Sequence, residues 1–342
     1  MIIEVEAARV RFGESAAREN NMGDLPIPKY DPATLVRSES FMIDAPAKLV
    51  WEILLDMPHY GAWNPFCVQA ESTLDLGAPV HMLLANYTAP GETFPHREYL
   101  CAKVSERLIS WELRAEDSIY PGRRDQVITP LGPERCAYYS TDAFMGAHAA
   151  HVMYFCGGWV KRAFDDTGRA LKMRAEALHK DTRLRRLEDL EALQRLKYSY
   201  VRGLDTCDTA LLASLFTEDA TIDYRGGSYR FSAQGREGIV AALEQAFHAQ
   251  FVASHTVHMP VIEIDGDTAT GLWTLRDYAL NLAEDNKVTE GAAHYRDHYV
   301  RRDGRWMIAR TEYDRVYERV YQDEYPSLTA HLLAELHAAR RK

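Results

Sequence analysis

The chain has 342 residues, of which 46% are apolar and 26% charged, a composition that fits two globular cores and opposes extensive disorder. Its formal net charge of −10 excludes a general role on nucleic acid, because phosphate binding needs a clustered positive face. We expect a cytoplasmic protein without membrane insertion, since no segment is apolar for long enough to cross a bilayer and no signal peptide is apparent.

Residues 1–35 form a polar stretch with several prolines, which we interpret as an arm lying over a domain or a partner subunit. Residues 38–46 then predict a strand and a turn, and a helix begins near Pro46. Segments with strand character follow, separated by glycine and proline turns: 68–72, 79–86, 97–105, 108–114, 125–130 and 136–143. This order predicts an antiparallel meander, and the apolar spacing of residues 151–179 predicts a long helix covering one of its faces.

A charged run, residues 180–190, leads into a second module whose first helix is predicted at 187–203. The elements predicted after it are helix 209–216, strand 220–224, helix 236–247 and strands 254–264, 268–282, 290–302 and 305–316. Helices first and strands last predict an α+β cone, in which a curved mixed sheet surrounds one cavity. The chain therefore divides into an arm (1–35), two α+β domains (36–180 and 186–322) and a C-terminal helical tail (323–342).

The first domain carries Ala45-Pro46, Val50-Trp51, Tyr60 and Trp63-Asn64-Pro65. With these residues it resembles the SRPBCC superfamily, the helix-grip fold of START-like and polyketide cyclase proteins. The resemblance implies an antiparallel sheet with a long C-terminal helix around a pocket that serves as a second cyclase or aromatase site or only carries a ligand. Polar side chains on its strands show no spacing that a reaction would require: His81, His96, Arg97, Tyr99, Arg123, Asp125 and Tyr139.

The second domain carries motifs along its whole length, among them residues 204–208, 215–220, 235–239 and 299–306. With them it resembles the SnoaL-like branch of the nuclear-transport-factor-like fold, and in particular the scytalone dehydratase-like and dehydrohalogenase members. Those members hold an Asp–His pair in their pocket. The resemblance therefore implies an acid–base site in this domain and, for the whole chain, a homo-oligomer, either a dimer or a trimer.

Three residues take catalytic roles through that resemblance: His255 as the base, Asp205 as the carboxylate that orients it, and Tyr224 as a donor to the substrate oxygen. The chemistry is sound, because histidine changes its protonation state near neutral pH and a carboxylate fixes its tautomer and stabilises the imidazolium. A phenol can likewise donate to a developing enolate. The structural alternative is that Asp205 only caps the helix end before Asp208.

Five further side chains are expected to contact the substrate: Tyr200, Trp273, His294, Tyr295 and Asp297. Alternation along the strand at 290–302 places one of two sets inside, either 294/296/298 or 295/297/299, and the sequence leaves both open. The acid that protonates a leaving group is also open, because Arg276, Asp277 and Tyr278 stand where relatives carry another polar group.

We expect neither a metal nor a cofactor. His258 should point away from His255 by strand alternation, the five cysteines lack a Cys-x-x-Cys pair, and no phosphate-binding glycine loop is present. The expected function is a cofactor-free dehydratase, isomerase or cyclase acting on a hydrophobic cyclic, polyketide-like or steroid-like molecule. The alternative is a non-catalytic binding or carrier protein for apolar small molecules.

Overall fold

The computed structural model describes residues 25–116 and 118–340. The chain divides between Asp181 and Thr182 into two compact units, called here the N-terminal unit and the C-terminal unit. Each unit mixes helices with a sheet, so the predicted α+β class is confirmed. No helix within the described residues combines the length and the apolar composition that a membrane span requires.

The N-terminal unit is built on an antiparallel sheet of eight strands. The strands are β1 (Leu35–Arg37), β2 (Phe41–Ile43), β3 (Cys67–Glu71), β4 (Pro79–Ala85), β5 (Thr93–Val104), β6 (Leu108–Leu113), β7 (Gly122–Gly132) and β8 (Arg135–Phe144). Strands β3 to β8 follow one another as neighbours, and β1 and β2 both pair with β8. The predicted meander is therefore present.

Helix α1 (Ala47–Leu55) follows Pro46, as predicted, and buries one face in the core of this unit. The buried residues are Ala47, Val50, Trp51, Ile53 and Leu54. Their spacing repeats every three to four residues, which is the period that puts side chains on one side of a helix. They join Trp111, Phe164 and Leu171 in one apolar cluster.

The predicted arm lies partly outside the described residues, since residues 1–24 are not among them. Leu25 and Ile27 pack with Leu108 and Val127 on the sheet face opposite the main core. Tyr30 adds a hydrogen bond from its hydroxyl to Asp125 Oδ2 at 2.6 Å. The visible end of the arm is thus bound to the sheet of its own chain.

Helix α2 runs without interruption from Ala149 to Thr206. The sequence predicts two helical stretches here, 151–179 and 187–203, joined through the charged run. The run is helical as well, and most of its side chains are exposed. The sequence position that divides the two units therefore lies inside a helix.

The C-terminal unit has a mixed, curved sheet of six strands in the order β10-β9-β14-β13-β12-β11. The strands are β9 (Phe216–Arg225), β10 (Arg230–Gln234), β11 (Phe251–Asp265), β12 (Thr268–Asn281), β13 (Lys287–Arg302) and β14 (Arg305–Gln322). Strands β9 and β14 are parallel, and the other pairs are antiparallel. The sequence pattern does not predict strand β10.

Three helices accompany this sheet: α3 (Thr209–Leu215), α4 (Arg236–Ala246) and α5 (Leu332–Arg340). The side chain of Asp208 accepts a hydrogen bond from the Leu211 backbone N–H at 3.0 Å and so caps α3. The tight turn between β13 and β14 is formed by Asp303 and Gly304, both with positive φ, as the hairpin sequence predicts. Helix α5 falls in the predicted helical tail and buries Leu333 in the core of the unit.

Candidate functional site

The C-terminal unit contains a cavity of about 420 Å³ between its helices and its sheet. Aromatic and apolar side chains form much of the wall, among them Phe231, Leu243, Phe247, Phe251, Tyr295 and Tyr313. Polar residues interrupt this surface, among them His255 on β11 and Arg315 on β14, and others lie toward Asn281, Glu284 and Lys287. A largely apolar cavity with a few polar groups is typical of a small-molecule site.

His255 and Asp205 form a hydrogen-bonded pair at the cavity wall. Asp205 lies in the last turn of α2, and His255 lies near the start of β11. His255 Nδ1 is 2.6 Å from Asp205 Oδ1, and the His255 backbone N–H donates to Asp205 Oδ2 at 3.1 Å. The carboxylate thus binds both the ring and the backbone of the same histidine, and its position is explained without the helix-capping alternative.

This geometry sets the chemical state of the ring. Because Nδ1–H donates to the carboxylate, a neutral His255 carries its lone pair on Nε2. The His255 side chain lines the cavity and is 12% exposed, whereas Asp205 is not part of the wall. The ring of Phe247 lies 5.9 Å from the imidazole between centroids. The pair has the arrangement of a general base held by a carboxylate.

Tyr224 lies on the same cavity wall, on β9. Its ring stacks on Tyr313 at 4.4 Å and meets the edge of Tyr295 at 5.7 Å. Its hydroxyl shares a hydrogen bond with that of Tyr200. Burial raises the pKa of Tyr224 well above its ordinary value, so the phenol stays protonated and remains a hydrogen-bond donor.

Arg315, Asp277 and Tyr229 form a second polar group on the cavity wall. Arg315 Nη1 and Nη2 donate to Asp277 Oδ1 and Oδ2 at 2.5 and 2.8 Å, and Nη2 also donates to the Tyr229 hydroxyl at 3.0 Å. The Arg315 and Asp277 side chains are only 6% and 8% exposed. Such a buried, charge-assisted group can bind an electronegative atom of a ligand.

The sequence did not single out Arg315 or Tyr229. Asp277 was considered only as a possible leaving-group acid. Tyr313 and Arg315 lie two residues apart on β14, so alternation was the one available signal that both face the cavity. Asp277, the partner of Arg315, is 38 residues away in sequence and lies on β12.

The expected substrate contacts separate into three groups. Tyr295 lines the cavity, and Tyr200 lies behind Tyr224, to which it is hydrogen-bonded. Trp273 and Asp297 are buried but are not part of the wall. His294 was wrongly included: its side chain is exposed, since alternation along β13 puts 295, 297 and 299 inside and 294 on the other face.

Asp297 instead belongs to a buried polar network behind the tyrosines. Lys197 Nζ lies 2.8 Å from Asp297 Oδ2, and neither side chain has any exposed surface. Asp297 also accepts hydrogen bonds from Tyr299 and Thr311, each at 2.6 Å. The Lys197 ammonium lies 3.3 Å from the centroid of the Tyr295 ring. The network therefore supports a tyrosine of the cavity wall from behind.

No cluster of three or more His, Cys, Asp or Glu side chains that could hold a metal ion occurs in residues 25–116 and 118–340. The polar residues that line the cavity include His255, Tyr224 and Arg315.

Comparison with known proteins assigns a family to part of the chain. Residues 185–312 match the family model of the SnoaL-like domain, so the predicted resemblance of the second module is confirmed. The chain is similar to a hexachlorocyclohexane dehydrochlorinase, LinA type 2, at 21% identity and a TM-score of 0.38, over 43% of this chain and 97% of that one.

Two further solved structures are similar to the chain. A candidate scytalone dehydratase from Novosphingobium aromaticivorans has 23% identity and a TM-score of 0.36, over 40% of this chain and 91% of its own. A LinA-type3 hexachlorocyclohexane dehydrochlorinase from Novosphingobium barchaimii has 25% identity and a TM-score of 0.35, over 40% and 93%.

Proposed function

We propose that the cavity of the C-terminal unit is the active site of a cofactor-free acid–base enzyme: a dehydratase, isomerase or cyclase. The single observation that carries this proposal is the 2.6 Å contact between His255 Nδ1 and Asp205 Oδ1 at the wall of an apolar cavity. The match of residues 185–312 to the SnoaL-like domain supports it, because the resemblance to that family implies an Asp–His pair in this cavity.

The reaction begins with proton transfer from a carbon next to a carbonyl to His255 Nε2. The electron pair of the broken C–H bond moves onto the carbonyl oxygen, which becomes an enolate, and Asp205 stabilises the imidazolium. Tyr224 or the Arg315 group donates a hydrogen bond to that oxygen. The electron pair of the enolate then takes one of two courses. It expels the hydroxyl on the neighbouring carbon, which leaves as water with the proton of the imidazolium, or it accepts that proton at another carbon.

The wall of the cavity indicates the substrate class. Tyrosine and phenylalanine rings form much of the surface, which favours a substrate that contains apolar rings, as in a polyketide-like or steroid-like molecule. At least one carbonyl is required to acidify the reacting C–H bond. The Arg315 group then binds a second electronegative atom and orients the molecule.

The test uses a panel of one- to three-ring ketones with a hydroxyl on the β carbon. In deuterated water, NMR monitors the rate at which each ketone loses its α-proton. We expect the chain to speed loss of the α-proton, and His255→Ala to lower that rate by about 10²–10⁴-fold with the fold retained. His258→Ala on the same strand is the matched control. A rate unaffected by His255→Ala contradicts the proposal, and ligands that bind without exchange favour the carrier alternative.

Three expectations from the sequence are kept as proposals. The first is that residues 36–180 are a START-like helix-grip domain, which the antiparallel meander and the long helix support. The second is a homo-oligomer, a dimer or trimer, supported by exposed apolar side chains on paired strands, such as Val261 and Leu272. The third is a cytoplasmic location.

A further inference from the structure

The N-terminal unit contains a separate cavity of about 150 Å³. Most of its wall is apolar or aromatic and includes Leu84, Phe94, Leu113, Phe144, Trp159 and Val160. An apolar cavity of this volume can hold one benzene-sized molecule. The residues that line it all belong to the N-terminal unit, so this site is independent of the function proposed for the C-terminal cavity.

Four charged or titratable side chains meet on the wall of this cavity: His96, Glu98, Arg124 and Asp142. His96 Nε2 lies 3.0 Å and Arg124 Nη2 3.1 Å from the same oxygen, Glu98 Oε1. Asp142 on β8 is the cross-strand neighbour of Arg124 on β7. Of the strand residues noted in the sequence, His96 belongs to this group, whereas Arg123 and Asp125 lie against the arm on the other face, where Arg123 donates to Pro26 O.

The second oxygen of Glu98 is left without a partner. Glu98 Oε2 and Arg124 Nε are both buried, and neither has a hydrogen-bond partner within the described part of the chain. The Glu98 side chain is 5% exposed and the Arg124 side chain 12%. An unsatisfied buried carboxylate oxygen is costly. Because Glu98 lines the cavity, a hydrogen-bond donor held there would remove that cost.

The two carboxyl groups differ in protonation. Burial acts to raise the pKa of Glu98, but Arg124 and the hydrogen bond with His96 outweigh it, so that this pKa lies below its ordinary value. Burial raises the pKa of Asp142 to about 6, although Arg124 acts against the shift. Near that pH one group is an acceptor and the other can be a donor.

We propose that this cavity binds a small, uncharged ring molecule that carries a hydroxyl group, such as a phenol. The hydroxyl donates to Glu98 Oε2, and its oxygen accepts a hydrogen bond from Asp142. The ring fills the space between Leu84, Trp159 and Val160.

Other ligand classes fit this wall less well. An anion would lie against Glu98 and Asp142, and a cation would find Glu98 already paired with Arg124. An apolar molecule without a hydroxyl would leave Glu98 Oε2 unsatisfied. A hydroxyl supplies a donor and an acceptor at a single atom, which is what the two carboxyl groups need together.

Cys156 provides a readout inside the cavity. It lines the wall and is partly exposed, whereas Cys101, the other partly exposed cysteine of the five, does not line it. We would alkylate the full chain with iodoacetamide, with and without phenol, and measure both cysteines by peptide mass spectrometry. Phenol should slow alkylation of Cys156 and leave that of Cys101 unchanged.

Anisole and one matched pair of variants test the hydrogen bond. Anisole keeps the ring but lacks the hydroxyl proton, so it should protect Cys156 at least about tenfold less effectively than phenol. Glu98→Gln should weaken protection by phenol to a similar extent. Glu112→Gln, which changes a carboxylate paired with Arg114 outside the cavity, should not.

Two outcomes overturn the proposal. If phenol at a saturating concentration does not protect Cys156, the cavity binds no phenol and holds only water. If anisole protects equally well, Glu98 does not accept a hydrogen bond from the hydroxyl of the ligand. If Glu98→Gln does not fold, the comparison of phenol with anisole in the unaltered chain still decides. Neither outcome affects the exchange assay on the C-terminal cavity.

Discussion

The two cavities of this chain arrange their charges in opposite ways. In the C-terminal unit an imidazole lies on the wall, and its carboxylate, Asp205, is bound to Nδ1 and is not part of the wall. In the N-terminal unit the carboxylates themselves are on the wall, and a guanidinium, Arg124, neutralises one of them. The first arrangement leaves a proton acceptor free for a ligand, and the second leaves a fixed hydrogen-bond acceptor.

The two cavities also differ in volume. The C-terminal cavity, at about 420 Å³, can hold a molecule of several rings, whereas the N-terminal one, at about 150 Å³, suits a single ring. A base with a roomy, aromatic site can transform a substrate. A fixed acceptor in a small site can recognise a ligand without reacting with it, and the two can therefore be separated by mutation.

The largest expected effect comes from Asp205→Asn. The amide cannot stabilise an imidazolium, and it can hold the His255 ring in the wrong tautomer, so the exchange rate should fall by about 10²–10⁴-fold. The measurement is the deuterium-exchange assay across a pH series. Asp208→Asn is the matched control, because asparagine caps α3 as aspartate does. Phenol should protect Cys156 from alkylation in this variant as it does in the parent. If that protection were lost, the two cavities would not be independent sites.

The second effect concerns stability. Lys197 and Asp297 are fully enclosed, and burial lowers the pKa of Lys197 although Asp297 acts against that shift. Lys197→Met leaves a buried carboxylate without its cation and should cost about 3–5 kcal/mol in urea unfolding. Lys197→Met with Asp297→Leu should recover part of that loss. A double variant no more stable than the single one would mean that the pair does not act as a unit.

The sequence predicted what depends on local pattern and on family resemblance. The turn at Asp303-Gly304, the start of α1 after Pro46 and the meander of the first sheet follow from residue types and spacing. The proximity of Asp205 and His255 was also expected, but only because the second module resembles a family with an Asp–His pair. Their catalytic role stays a prediction.

What the sequence could not predict depends on register and on distant contacts. Bulges interrupt the pairing of β13 and β14, so counting alone could not choose Tyr295 over His294. Arg123 and Arg124 are consecutive residues on β7, yet Arg123 contacts the arm and Arg124 lines the small cavity. The Lys197–Asp297 pair joins residues 100 positions apart, which no local pattern indicates.

The smallest expected effect is a pH-dependent gain of stability in Asp142→Asn. Because burial raises the pKa of Asp142 to about 6 in the folded chain, against about 3.9 for an ordinary aspartate, the folded state binds more protons than the unfolded state between these values. Stability attributable to Asp142 therefore falls as pH rises through this window, and stays low above it.

The asparagine variant should be more stable than the parent by about 1–2 kcal/mol at pH 7 and should lose that advantage near pH 4. The expected difference is kept this small because Asp142 is partly exposed and solvent screens the shift. Urea unfolding of both chains at the two pH values measures the difference, with Asp44→Asn, an exposed carboxylate paired with Arg135, as the control. Equal stability of parent and Asp142→Asn at pH 7 would mean that this carboxyl does not differ from Glu98 in the way that binding of a hydroxyl requires.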